Sequence, residues 1–434
     1  MAAHEPHDIR APLLDPDAEA AEAREPVADS SVQLADKASS SGGAWPLTTA
    51  IMVGEMLGVG SLAMPAAFAR LGWVAALSVL VAMGAAVAFS GVMFSRLGTL
   101  LPGARSFDDL GAAAFGRRGR ILAFCTVNVA IFAAPALLHL TCAESLQQIF
   151  AHQGLTHTQA ILIIAAVILP LSQARHLEHV SWLSLVGTLG MLTALGVACG
   201  KLLFMAPRHE PAAPTPSGST PPSDPEIRHG FYAVLVALMD AVFAFGGQQN
   251  WVRYMTGLKK KAHFKYAATA ASAIMTAAFI IMGSVGYWRL GTHFDQTQPI
   301  TSVLPLDAWT PVMNGGLLAH CILAYQIDLN VWAHTALLLV APRYADPQPP
   351  TAPPSDHRRS AMLWLLFSLL GAACCTLIAW VVPFFNTVMG LIAAIGDMSA
   401  AFVLPAAFCL VLTRRRMRRP PNLCIARDGS AVAE

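Results

Sequence analysis

Val53-Gly-Glu-Met-Leu-Gly-Val-Gly-Ser-Leu-Ala-Met-Pro65 places three glycines, an acid and a proline inside an apolar span long enough to cross a membrane. In a bilayer, backbone groups released from helical hydrogen bonding are tolerated only where protein or a water-filled cavity satisfies them. We therefore predict a broken helix here. A second stretch of this kind, Phe243-Ala-Phe-Gly-Gly-Gln-Gln249, lies near the start of the second half of the chain. Breaks at corresponding positions of two halves are typical of secondary transporters, whose site lies between the halves.

The composition is that of an integral membrane protein. Hydrophobic residues make up 55% of the 434 residues and charged residues 12%, and the mean hydropathy is +0.53. The basic residues lie scattered in short loops, which argues against a nucleic-acid partner. No motif brings together a nucleophile, a base and an orienting group, and no cofactor fingerprint or paired metal-type cysteine spacing is present. We expect neither an enzyme nor a bound cofactor or metal.

The expected fold is an all-α polytopic membrane protein with about ten crossings, taking roughly 20 apolar residues for each. The predicted spans lie near 46–69, 73–97, 121–147, 158–174, 180–206, 231–252, 266–289, 312–340, 361–382 and 386–412. They divide the chain into five parts: a disordered N-terminal tail (1–44), a first transmembrane repeat (45–206), a Pro/Ser-rich link (207–229), a second repeat (230–412) and a basic C-terminal tail (413–434).

Charge asymmetry predicts the orientation. Most of the 28 Lys and Arg fall in the tails and in alternate links on the same side. The opposite side receives Arg70, Lys201, Arg208, Arg228 and Arg289. By the positive-inside rule, both termini are expected in the cytoplasm, and the 207–229 link on the other side.

The two breaks predict a site for a zwitterion. Backbone amides at Gly58 to Ser61 direct positive dipole ends at an anion, whereas carbonyls at Ala241 to Phe245 suit a cation. Glycines let backbone approach a ligand closely, although they also serve close helix packing in lipid. The predicted substrate-binding residues are Gly58, Val59, Gly60, Ser61, Ala241, Phe243, Phe245, Gly246 and Tyr325.

Acidic side chains inside the spans suggest a function, because inserting each one into the membrane costs roughly 2.5–3.5 kcal/mol on insertion scales. Proton coupling is one such function, and a hydrogen-bonded structural acid is the alternative. The proton-coupling candidates are Glu55, Asp240 and Asp328, together with His320. Asp397 lies nearer a span end and carries less weight.

Motifs along residues 46–412 resemble, in order, the amino acid/auxin permease family, and most of all its plant amino acid permease branch. They are Gly58-Val-Gly-Ser-Leu-Ala-Met-Pro65 with Leu71-Gly-Trp73, Ser106 to Arg120, Leu171-Ser-Gln173 with Ser181-Trp-Leu-Ser184, Asp240-Ala-Val-Phe-Ala-Phe245, Gly286 to Gly291, His320 with Tyr325-Gln326, and Val382 to Asn386 with Gly390 to Gly396.

The resemblance implies a LeuT-like fold of two inverted five-helix repeats with helices 1 and 6 broken, and secondary active transport of amino acids, commonly proton-coupled. The chain departs from the family at Glu55, where a small or uncharged residue is usual, and at Asp328, where an aromatic is common. It also stops after ten predicted helices, whereas the family usually has eleven.

The leading hypothesis is proton-coupled symport of small or neutral amino acids by alternating access. A sodium-coupled amino acid transporter is the alternative within the same class of protein. An amino acid sensor with little net transport is the alternative from another class, and it would recruit a cytoplasmic partner through the N-terminal tail. The lipid bilayer is the other expected partner. Ala11-Pro-Leu-Leu-Asp-Pro-Asp17 loosely resembles a sorting signal, so the plasma membrane and a vacuolar or endosomal membrane both remain open.

Overall fold

The computed structural model describes residues 44–104, 106–173, 180–204, 230–292, 294, 296–345, 348, 353–382, 385–418, 424–425 and 431–432. The 207–229 link, residues 1–43 of the N-terminal tail and most of the C-terminal tail lie outside these residues. The predictions made for those segments, including the sorting signal at 11–17, are therefore untested.

The first half consists of five long or interrupted helices. They are α1 (Trp45–Met56), α2 (Met64–Leu100), α3 (Phe107–Ile149), α4 (His157–Leu171) and α5 (Val180–Phe204), with short 3₁₀ turns at Val59–Ala63 and Ala151–Gln153. Glycine is required at two bends, because φ is +76° at Gly72 in α2 and +65° at Gly116 in α3. The bend at Gly72 separates the end of the first predicted span from the second.

The second half contains eight helices among the described residues. Its helices are α6 (Phe231–Ala244), α7 (Trp251–Thr256), α8 (Phe264–Leu290), α9 (Ile300–Val303), α10 (Thr310–Val340), α11 (Pro354–Val381), α12 (Phe385–Ile392) and α13 (Leu404–Arg418). Turns of 3₁₀ helix cover Gln248–Asn250, Lys261–His263 and Pro342–Tyr344, and two π-helical stretches, Ala393–Asp397 and Ser399–Val403, join α12 to α13. Two short antiparallel strands, β1 (Cys424–Ile425) and β2 (Ala431–Val432), pair in the C-terminal tail.

Close packing joins the two halves. Along α2, Gly84 and Gly91 lie so near α8 that an added Cβ would come within 2.2 Å of the Thr276 Oγ1 and 2.3 Å of the Ala268 Cβ. The Ser272 hydroxyl donates to the Gly84 carbonyl at 2.8 Å. Small residues and interhelical hydrogen bonds of this kind hold helices together in lipid, where there is no hydrophobic driving force for helix association. The α2–α8 pair therefore fixes one half of the chain against the other.

Within the described residues, seven helices are long and apolar enough to cross a membrane. The predicted count of ten remains a prediction, and the differences have physical causes. The 3₁₀ turn at Val59–Ala63 runs into α2, and α4 has only 15 residues. The helix α10 is long enough at 31 residues but is not one of the seven, and its buried polar side chains include His320, Gln326 and Asn330.

Candidate functional site

The first interruption follows α1. The helix ends at Met56, Gly58 is extended, and the chain re-enters a single 3₁₀ turn at Val59. The Ser61 hydroxyl donates to the Gly58 carbonyl at 2.8 Å, and the Ser61 amide donates to the same oxygen at 3.1 Å. Serine therefore closes the turn locally and leaves Val59 and Gly60 at the N-terminal end of a short helical segment, the polarity that favours an anion.

The second interruption follows α6. The helix ends at Ala244, and Gly247 has φ of +107°, a conformation that side-chain-bearing residues rarely adopt. The Gly246 amide donates to the Phe243 carbonyl at 2.8 Å. The Phe245 carbonyl lies where the helix has ended and lacks a helical hydrogen-bond partner among the described residues. The Gln248 side-chain amide donates to it instead.

The two interruptions lie against each other. A Cβ added at Gly60 would be 2.7 Å from the Ala244 Cα, and one at Gly247 would be 2.9 Å from the Met56 Cγ. The Asn250 side-chain amide donates to Glu55 Oε1 at 2.7 Å. Residues 55–61 and 244–250, more than 180 positions apart in sequence, thus form one structure, which we call the paired break.

Hydrogen-bond acceptors without partners collect on the α6 side of the paired break. Asp240 and Gln248 are fully buried, yet Asp240 Oδ1 and Gln248 Oε1 accept no hydrogen bond from the described residues. The carboxyl group of Asp397, a residue only 4% exposed, makes no hydrogen bond or ion pair with any described residue. Buried polar atoms in native proteins are nearly always satisfied, so this concentration of acceptors fits a group that brings donors, such as an ammonium or a proton.

Asp240 is not an isolated acid. Its Oδ2 is 2.6 Å from Arg70 Nη1, and Arg70 also donates to the Gln296 backbone carbonyl. Removing one partner of such a buried pair leaves an uncompensated charge, which is far costlier than the pair itself. The pair ties the end of the first span to α6 and to the loop before α9. Asp240 therefore has a structural partner, Arg70, which charge asymmetry alone assigns to a loop.

The other predicted residues divide into two groups. His320 faces the paired break: its Nε2 would lie 3.6 Å from a Cβ at Gly58, and its Nδ1 is 3.1 Å from the Gly187 carbonyl. Tyr325 has a different contact: its hydroxyl lies 3.2 Å from Nδ1 of His139 in the buried core.

Three further predicted residues are Phe243 and Phe245, at the end of α6, and Asp328, in α10. The ring of Phe245 is fully buried and packs edge-on against Phe279 of α8, with 5.0 Å between centroids. Phe243 and Ala241 flank the end of α6, with Phe243 partly buried and Ala241 buried. Asp328 is partly buried and lies eight residues beyond His320, about 12 Å along the helix axis.

Three residues on or beside the α6 side of the paired break are not among the predicted site residues. In the sequence, Arg70 stands in a predicted loop, Gln248 lies near the end of a glycine-containing motif, and Asp397 lies near a predicted span end. The signal that could have found Asp397 is the glycine that precedes it, because Gly396 packs against Ala130 of α3 and brings the chain into the core.

A separate polar cavity lies beside the C-terminal end of α3. It has a volume of about 330 Å³ and is lined by Glu144, Gln147, Gln148, Ala151, His157, Gln298, Ser302 and Leu306. No predicted site residue lines it. It provides an alternative place for a small polar ligand.

Comparison with known proteins identifies the family. Residues 41–424 match the family described as transmembrane amino acid transporter protein. Two relatives from Arabidopsis thaliana are amino acid transporters AVT1B, 23% identical over 84% of this chain and 64% of its own length, and AVT1H, 24% identical over 83% and 79%. The N amino acid transport system protein of Neurospora crassa is 24% identical over 85% of this chain and 76% of its own.

A solved Na⁺-coupled sialic acid symporter, in a substrate-bound outward-open state, is similar at a TM-score of 0.42 and 12% identity, covering 91% of this chain and 99% of its own. The chain spans just under two thirds of the length of AVT1B. The family match covers nearly all of this chain's 434 residues. This integral membrane protein belongs to the transmembrane amino acid transporter family.

Proposed function

We propose that the protein is a secondary active transporter that carries small, neutral amino acids together with protons, and that the paired break holds the amino acid. The observation that carries the proposal is the contact between the two interrupted helices at Gly60 and Ala244, in a chain of this family.

The two ends of an amino acid have matching partners on the two sides of the paired break. Its carboxylate binds the 3₁₀ turn that begins at Val59, where backbone amides and the helix dipole favour an anion. Its ammonium binds the acceptors of the α6 side, including Gln248 Oε1, which lacks a partner among the described residues. The close approach of Gly60 to Ala244 leaves little width for a side chain, which favours small substrates.

Proton coupling is proposed because acidic groups and a histidine surround the paired break. Glu55 accepts from Asn250 within it, His320 faces it, and Asp240 and Asp397 are buried beside it. One proton crossing 100 mV supplies about 2.3 kcal/mol, enough to sustain roughly a 40-fold gradient of a zwitterion. Both termini are proposed to be cytoplasmic on charge asymmetry.

The test is uptake of labelled amino acids into liposomes that contain the purified protein. A pH gradient and a sodium gradient are imposed in separate experiments, and a protonophore is the control. Accumulation driven by the pH gradient and abolished by the protonophore would support the proposal. Accumulation driven by sodium alone would assign the coupling to sodium. Binding without accumulation under either gradient would favour a sensor.

A further inference from the structure

Asp397 lies where the last membrane segment departs from regular helix. It ends one π-helical stretch, Ala393–Asp397, and a second, Ser399–Val403, follows. Such π-helical turns are rare and occur frequently at functional sites, because they turn a side chain out of the regular helical register. Here the departure brings a carboxyl group into the protein interior, where it is only 4% exposed.

The carboxyl group touches the backbone of the α6 break. A Cβ at Gly246 would lie 2.9 Å from Asp397 Cγ and 3.0 Å from its Oδ1. The Phe243 carbonyl oxygen is 2.9 Å from the same point, so two oxygens converge on Gly246. This contact leaves no room for a substrate ammonium or a hydrated ion between Asp397 and α6. A proton needs no such room.

No described side chain compensates a charge on Asp397. The stretch 393–397 packs against α6, α3 and α12, and α12 contains no titratable residue. On α6 the acid is Asp240, which Arg70 already pairs. On α3, His139 bonds to Tyr325 and to the Ile161 carbonyl, and Glu144 lies far along the helix, 3.5 Å from the Ser302 hydroxyl. The remaining titratable groups of α3's membrane part, Cys125 and Cys142, bring no positive charge. An unpaired carboxylate is expensive in such a place.

We propose that Asp397 carries the coupled proton, and that the protonated carboxyl stabilises the closed α6 break beside Gly246. This inference rests on the proposed function and assigns its proton to one residue. In the protonated form the carboxyl donates to a nearby backbone carbonyl, of which Phe243 offers one. Loss of the proton places a negative charge beside that carbonyl, and the repulsion favours separation of α6 from the last segment. Proton release and opening of the substrate site are thereby linked.

The test compares wild type with Asp397→Asn in proteoliposomes. Asparagine has nearly the shape of a protonated aspartic acid and can still donate a hydrogen bond, but it cannot release a proton. We expect D397N to lose pH-gradient-driven accumulation by at least tenfold while it retains exchange of labelled for unlabelled amino acid within about threefold. Substrate binding by wild type should vary with pH, and that variation should disappear in D397N. Asp108→Asn, at the start of α3, is the matched control and should behave as wild type.

Three results would overturn the inference. If wild type accumulates substrate on a pH gradient and D397N does so equally well, Asp397 does not carry the proton, although the proposed function stands. If D397N remains monodisperse with an unchanged melting temperature but loses exchange as well, Asp397 binds substrate or shapes its site instead. If wild type itself shows no accumulation driven by a pH gradient, the proposed proton coupling fails, and the assignment of its proton to Asp397 fails with it.

Discussion

Substitution of Gly60 by alanine tests whether the two breaks must stay in contact. The added Cβ would lie 2.7 Å from the Ala244 Cα and 3.0 Å from the Ala244 Cβ, whereas ordinary contacts begin near 3.4 Å. The breaks would have to separate by several tenths of an ångström, and because the atom in contact is backbone, no side-chain rotation relieves the clash. Overpacking of this size costs about 1–3 kcal/mol. That cost corresponds to roughly a 5- to 150-fold fall in the equilibrium constant for substrate binding, if binding requires the paired break.

The assay measures substrate binding and exchange for purified Gly60→Ala, together with its melting temperature in detergent. Gly196→Ala in α5 is the matched control, because nothing lies within 4 Å of its Cβ position. We expect G60A to lose at least fivefold in binding affinity or exchange rate, and G196A to match wild type. If binding, exchange and melting temperature of G60A all equal those of wild type, close contact at Gly60 is not required.

Three further predictions concern other contacts. Arg70→Gln should lower the free energy of unfolding by about 3–5 kcal/mol, because it leaves Asp240 buried and unpaired, and the double change with Asp240→Asn should recover part of the loss in thermal melts. A melt no different from wild type would contradict this. Gln248→Met should weaken substrate binding by about 5- to 100-fold, since it removes a buried acceptor, and unchanged affinity would exclude the ammonium contact. At the surface, partial burial raises the pKa of Asp307, but hydrogen bonds from Lys201 and neighbouring groups outweigh this and hold it below its usual value. The pair therefore stabilises the fold above about pH 4 and ceases to do so as acid protonates Asp307. The difference in melting temperature between wild type and Asp307→Asn should shrink below that pH, and a difference that grows there would contradict the assignment.

The sequence was informative where local chemistry dictates structure. Gly58 and Gly247 both lie in departures from regular helix, as the glycine-rich stretches predicted, because freed backbone in a membrane requires glycine and a protein-lined environment. The membrane class followed from composition alone. The motifs spread over the chain pointed to a family that the family match, covering residues 41–424, bears out.

Contacts between distant elements could not be predicted in the same way. Arg70 and Asp240 are 170 residues apart, and charge counting places the arginine in a loop without revealing its partner. Tyr325 has the helical position of a plausible pocket residue, yet it turns to His139 because the neighbouring helix supplies a buried acceptor and donor there. Asp397 enters the core through π-helical turns, and hydrophobic periodicity, which assumes a regular helix, assigns such a residue to the wrong face.

The assignment of the amino acid site to the paired break is tested most directly by a structure of the protein with a bound neutral amino acid, determined by electron cryomicroscopy. We expect ligand density within the paired break, with the carboxylate at the amides of Val59 to Ser61 and the ammonium toward α6 and Gln248. Density confined to the polar cavity beside Glu144 and Ser302, with the paired break empty, would contradict this assignment.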